Sequence, residues 1–318
     1  DPDRGLYLLG FITLIVFTSI YLFIFRLPTI KAIGNIKKFS KESFISLNNI
    51  FFGTLIFSVM LGVTYPLIYE FLFNQKISVG APFYNAVFIP IVVLACFFLF
   101  FSIDSKWSRN INLKFLSTPI FLSLLFSSIS VISTAYLFNT NNLAILVSIF
   151  AGAIIIYRYI IEVLNYFLNK KYINPFSVIA HMALGLLLVS ISFNSLLSTE
   201  RALNIKINEY EEYKDLKIFF EDIRVLNNSN NDSIKATFVI ENLDGKKFNL
   251  SPEKRKYFTR GQITTETAIH IMPLKDIYMT IGDQLDDGSW IVNIQINYLI
   301  RFIWFSAALM AFAGIMLV

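Results

Sequence analysis

Charge is scarce in this sequence: only 15% of its 318 residues are Asp, Glu, Lys or Arg, against about a quarter in a soluble domain. Cysteine is scarcer still. The single Cys96 excludes an intrachain disulfide, a CxxC redox pair and a cysteine-built zinc site. Two histidines, His181 and His270, leave little room for a multi-histidine metal centre. The sequence has no Walker loop, glycine-rich dinucleotide fingerprint, catalytic triad or paired-carboxylate motif. Apolar residues are abundant instead: 55% of the chain is hydrophobic, with 33 Phe and 15 Tyr, and the mean hydropathy is +0.61. An ordinary soluble enzyme, a disordered chain and a disulfide scaffold are all excluded. The sequence reads as an integral membrane protein.

A hydrocarbon layer about 30 Å thick needs roughly 20 apolar helical residues. Seven stretches qualify, near residues 5–25, 50–69, 84–103, 116–138, 142–161, 176–197 and 299–318. Pro66, Pro90 and Pro119 fall inside or near the ends of spans two to four, where neighbouring helices can satisfy the freed carbonyls. Arg158 and Glu162 stand four residues apart near the end of span five, a spacing that pairs them on one face close to the headgroups. The chain begins at Asp1 and ends at Val318 inside an apolar run, and reads as a piece of a longer protein.

Basic residues set the orientation. Lys31, Lys37, Lys38 and Lys41 follow span one; Lys106, Arg109 and Lys114 follow span three; Lys170 and Lys171 follow span five. The alternate short loops hold only Arg4 and Lys76, so the bias is nine against two. The positive-inside rule puts the N-terminus, and the long segment between spans six and seven, outside. That segment, residues 198–298, carries 13 Lys+Arg and 16 Asp+Glu, whereas the rest carries 14 and 6. The basic pI of about 9.1 is therefore a topology signal and not a nucleic-acid footprint. Residues 30–44 admit either a solvated basic loop or a basic amphipathic surface helix, with Ile30, Ile33 and Ile36 between lysines.

Within 198–298 the apolar period shortens towards two. β-prone runs at 203–207, 217–222, 234–241, 264–271, 277–281 and 290–296 alternate with turn signals at Asn227-Asn228, Asp244-Gly245 and Asp287-Gly288. The expected fold class is a membrane all-α bundle of about seven transmembrane helices with an inserted extracytoplasmic small β-sandwich or barrel. Its parts are a six-helix region at 1–197, the outer β domain at 198–298 and a final span at 299–318.

His181 is the most informative residue. It falls about five residues into span six, and an ionisable side chain inside a membrane helix faces a bundle interior or cavity. Ser177, His181, Gly185, Leu188, Ser192 and Ser195 share one face at helical spacing. Two readings compete. Small residues permit close helix–helix packing with His181 hydrogen-bonded to a neighbour. Alternatively His181 is an axial haem ligand through a neutral ring nitrogen, with room for the flat macrocycle beside Gly185. Its other nitrogen then needs an acceptor, a backbone carbonyl or a side chain on a neighbouring helix. His270, in an outer strand, needs no function. Cys96 reads as an inert small hydrophobe, Glu70 as an interfacial carboxylate and Arg301 as a snorkelling residue at the outer surface.

Several local strings, in order, resemble the C-terminal half of the CcmF/NrfE haem lyase family of cytochrome c-type biogenesis. They are Asp1-Pro2-Asp3-Arg4-Gly5; Ser40-Lys41-Glu42-Ser43 with Leu47-Asn48-Asn49; Tyr65-Pro66-Leu67; Ile77-Ser78-Val79-Gly80; Ile179-Ala180-His181-Met182-Ala183-Leu184-Gly185; Ser251-Pro252-Glu253-Lys254-Arg255; Thr264-Thr265-Glu266-Thr267-Ala268-Ile269; and Asp276-Ile277-Tyr278, closed by Arg301 and Trp304. Ala81 stands where that family often has a second proline.

The resemblance implies a subunit of the haem lyase that attaches haem to Cys-x-x-Cys-His sites of apocytochrome c outside the bacterial inner membrane. It implies a b-type haem in the membrane with His181 as one axial ligand and Ser177 and Gly185 beside it. It also implies partners: a periplasmic haem carrier, apocytochrome c, other maturation subunits and the lipid bilayer, with no nucleic acid. The family's Trp-rich haem-handling loop and the second axial histidine are not in this chain, which has only Trp107, Trp290 and Trp304. The stretch alone is therefore expected to be inactive. A haem or small-solute transporter is the rival function, although no inverted repeat is visible. A scaffold whose β domain docks assembly partners is another.

Overall fold

The computed structural model describes residues 2–29, 36–75, 77–109, 118–169, 173–258 and 263–316, without the side chains of residues 2–9, Leu67 and Phe71. Lys31, Lys76, Lys114, Lys170 and Lys171, and residues 30–35 of the basic stretch, lie outside the described residues.

Among the described residues the apolar runs form seven helices: α1 Pro2–Arg26, α2 Lys41–Phe73, α3 Ala81–Ser102, α4 Thr118–Leu137, α5 Leu143–Asn169, α6 Pro175–Leu197 and α7 Ile300–Met316. Six of them, all but α7, are long and apolar enough to cross a membrane, and α7 is an apolar helix of 17 residues. Pro66 and Pro90 are accommodated inside α2 and α3. Residues 36–40 form a turn and not a surface helix.

The chain divides into two compact units. The first holds residues 1–47 with 104–111. There the Lys41 amide donates to the Lys106 carbonyl at 3.2 Å, and Glu42 Oε1 accepts from the Ser108 amide at 2.8 Å. Two of the loops expected on one membrane side are thus joined. The second unit holds residues 48–103 with 112–318. In it α5 is central, packed on α3, α4 and α6, and α7 packs on α6.

Between α6 and α7 the described residues form ten strands: β1 Thr199–Ile205, β2 Tyr210–Tyr213, β3 Leu216–Asn227, β4 Asn231–Asn242, β5 Lys247–Leu250, β6 Glu253–Tyr257, β7 Ile263–Glu266, β8 Ala268–Ile271, β9 Lys275–Gln284 and β10 Trp290–Tyr298. They make two antiparallel sheets, one ordered β1-β10-β9-β8 and one ordered β2-β3-β4-β6-β7, with β5 paired to β4. The sandwich expected from period two is present, and its inner faces are the alternate residues of each strand. Ile218, Phe220, Phe238 and Ile240 of one sheet meet Ile277, Met279, Val292 and Ile294 of the other, all fully buried. The run 264–271 is two strands, not one: the chain passes between sheets at Thr267. All three turn signals join strands; Gly245 and Gly288 take φ of +73° and +83°, where glycine is unstrained.

The sandwich meets the helices at the ends of α6 and α7. Asn194 Nδ2 donates to the Tyr298 carbonyl at 2.6 Å, and the Tyr298 amide donates to Ser198 Oγ at 3.0 Å. Arg301 does not simply snorkel: its Nε lies 3.3 Å from Oδ1 of buried Asp276.

Candidate functional site: His181 between helices five and six

The start of α6 is fixed locally. Asn174 caps it, its side-chain oxygen accepting from the Phe176 and Ser177 amides at 3.0 and 3.3 Å, and Pro175 occupies the first helical position. His181 follows one and a half turns later, half-buried and facing α5.

Its Nδ1 is engaged on two sides. The Ser177 carbonyl lies 2.7 Å away, the Tyr159 hydroxyl 2.8 Å and Ser177 Oγ 3.3 Å. A carbonyl oxygen only accepts, so Nδ1 carries the proton and the neutral ring leaves Nε2 with its lone pair. Nε2 makes no hydrogen bond among the described residues. The Tyr159 ring lies against the imidazole, with centroids 5.2 Å apart and planes at 11°. A backbone carbonyl and a side chain on the neighbouring helix, the two alternatives for the acceptor of the Nδ1 proton, both lie within reach of that nitrogen.

Ser177 and His181 come together as expected. Gly185 does not belong with them. A Cβ on Gly185 would lie 2.7 Å from Ile156 Cγ1 and 2.8 Å from the Gly152 carbonyl oxygen, and one on Gly152 would lie 2.8 Å from the Gly185 oxygen. The two glycines let α5 and α6 approach closely, and Ile156 and the Gly152 backbone fill the space beside Gly185.

Arg158 and Glu162 pair as their spacing demands, Nη1 to Oε1 at 2.7 Å, with side chains only 1% and 9% exposed. α5 continues beyond them to Asn169, and both are buried. Tyr159 and Gly152 were not singled out from the sequence, yet Gly152, Ile155, Tyr159 and Glu162 follow the same helical spacing on α5 that marks the face of α6. Cys96 is 1% exposed among apolar neighbours. His270 stacks on Phe248 at 3.7 Å and 10°, joining β8 to β5 across the sandwich. Burial holds its imidazole below the ordinary value.

The imidazole fits one axial position of a haem, with Nδ1 held and Nε2 left for the metal. No second histidine of this chain stands near, since His270 is in the β sandwich.

Residues 196–297 match the family described as the CcmF C-terminal beta-sandwich. The chain is 29% identical over 323 residues to the cytochrome c-type biogenesis protein CcmF of Escherichia coli, covering 99% of this chain and 49% of that protein. It is 26% identical to CcmF of Pseudomonas aeruginosa over 99% of this chain and 49% of that one. It is 23% identical to NrfE of Haemophilus influenzae over 96% and 49%. A solved structure titled cytochrome c heme lyase CcmF shares the fold, with a TM-score of 0.71 at 16% identity over 88% of this chain and 46% of that one. The chain spans about half the length of the curated relatives it matches.

Proposed function

From a chain that matches CcmF and NrfE proteins along nearly its whole length, we propose a part in cytochrome c biogenesis, as the C-terminal half of a haem lyase subunit. The observation that carries it is the state of His181: one ring nitrogen engaged by Ser177 and Tyr159, the other without a hydrogen bond among the described residues. A b-type haem bound there would supply a one-electron couple within the membrane. His181 would hold its iron through Nε2, with the opposite ligand coming from outside this chain. Ser177 would keep the Nδ1 proton in place and so raise the basicity of the ligating nitrogen.

In this reading residues 1–197 and 299–318 form the inner-membrane part, and residues 198–298 form a periplasmic domain. The domain offers a surface to apocytochrome c, whose Cys-x-x-Cys-His site receives the haem, or to the periplasmic haem carrier and other maturation subunits. This stretch alone lacks the Trp-rich loop and should not attach haem by itself.

The test is made on the native-length protein. His181→Ala should abolish the b-type Soret and α bands or raise the midpoint potential, and should impair cytochrome c maturation. His181→Gly with added imidazole should recover part of the bands, and His270→Ala should change nothing. An unchanged spectrum and potential in His181→Ala would reduce His181 to a packing residue.

A further inference from the structure

We infer that Tyr159 is a positioning residue for His181, acting on the tautomer and orientation of the imidazole through its hydroxyl and its ring. Two observations carry this independently of any bound group. The hydroxyl sits 2.8 Å from Nδ1, and the phenol ring lies against the imidazole at 11°. Since the Ser177 carbonyl fixes the proton on Nδ1, Tyr159 takes part as a second acceptor of the same proton. Rotation about χ2 would carry the imidazole out of both contacts at once, so carbonyl and phenol together define one ring orientation. Without the phenol oxygen the carbonyl alone remains, on the same helix as the histidine, and the constraint from α5 is lost.

The consequence for the metal rests on the haem reading of His181. A second acceptor at Nδ1 makes the ring a stronger donor at Nε2 and favours the oxidised iron, in the way that outer partners tune metal-bound histidines. Tyr159→Phe removes only the oxygen and keeps the ring. The native-length protein with 15N-labelled histidine is the sample, the His181 signals being assigned by their loss in His181→Ala. Tyr159→Phe should lower the ratio of Nδ1–H to Nε2–H tautomer about fivefold in the haem-free protein, the worth of one ordinary hydrogen bond. In the haem-loaded protein it should shift the reduction equilibrium about tenfold towards the reduced form, a rise of about 59 mV for one electron.

A tautomer ratio unchanged within twofold in Tyr159→Phe overturns the positioning role, whether or not haem is bound at His181. A shifted ratio together with an unchanged haem spectrum in His181→Ala would leave Tyr159 orienting the ring while removing the haem reading. A midpoint that stays put in Tyr159→Phe, while His181→Ala loses the haem, removes the tuning role alone. A purely structural role for Tyr159 would move protein yield but neither the ratio nor the midpoint.

Discussion

Replacing either glycine of the α5–α6 crossing by alanine tests the packing directly. A Cβ on Gly185 meets a backbone oxygen at 2.8 Å, and so does one on Gly152, whereas ordinary contact begins near 3.4 Å. A backbone oxygen cannot rotate away, so the helices must part by roughly 0.6 Å, loosening every pair of atoms along the seam. Overpacking of this kind costs about 1–3 kcal/mol. Both substitutions press on the same gap, so the first separation should accommodate much of the second. Gly152→Ala/Gly185→Ala should then cost less than the two single changes added together, with a coupling of at least about 0.5 kcal/mol. Reversible unfolding by SDS in mixed micelles, followed by far-UV circular dichroism, measures all four corners of the cycle. Single substitutions within about 0.5 kcal/mol of the parent, or strict additivity, would refute the close approach as the reason for these glycines.

Glu162→Gln should destabilise the bundle in the same assay, because it removes the carboxylate that lies 2.7 Å from the buried Arg158 guanidinium; a near-neutral Glu162→Gln would contradict a stabilising role for that contact. In the β domain, Arg255 and then Ser233 hold the Glu253 carboxyl below its ordinary value of 4.5. The stabilisation is therefore complete above that value and lost as pH falls below it; amide protection in β6 and β7, corrected for intrinsic exchange, should fall between pH 6 and 3 in the parent, and Glu253→Gln should flatten that profile. A reporter fused near Asn230 should be active only in an extracytoplasmic assay, and cytoplasmic activity would invert the topology.

The helices were legible because spans free of charge are costly to place anywhere but in hydrocarbon or a dry bundle. The end of α5 was not, because the charges of Arg158 and Glu162 break the apolar run, whereas the helix carries on to Asn169 with both side chains buried. The long strands β3, β4, β9 and β10 showed themselves by alternation. Tyr210–Tyr213 and Glu253–Tyr257 did not, since they are short and charged and owe their strand form to ladders with β3, β4 and β7. The site was half visible. His181 and Ser177 are four residues apart on one helix, whereas Tyr159 arrives from 22 residues upstream, through a helix crossing that only the paired glycines could have suggested.

The ladder between β1 and β10 runs from Thr199↔Ile296 to Ile205↔Trp290, so the strand that leaves α6 and the strand that enters α7 are hydrogen-bonded neighbours along seven residues. Adjacent strands stand about 4.8 Å apart. The chain thus returns to within one strand spacing of where it left, and α6 and α7 are joined geometrically as a short helical hairpin would be. Everything beyond that ladder is an insertion whose size the helices scarcely register, because closure entropy grows by only about 0.6 kcal/mol for each doubling of the loop. The sandwich can therefore be enlarged, trimmed or exchanged for a foreign domain of similar end-to-end spacing without re-tuning the bundle, and the contacts it offers to partners are free to diverge while the crossing that holds His181 stays as it is.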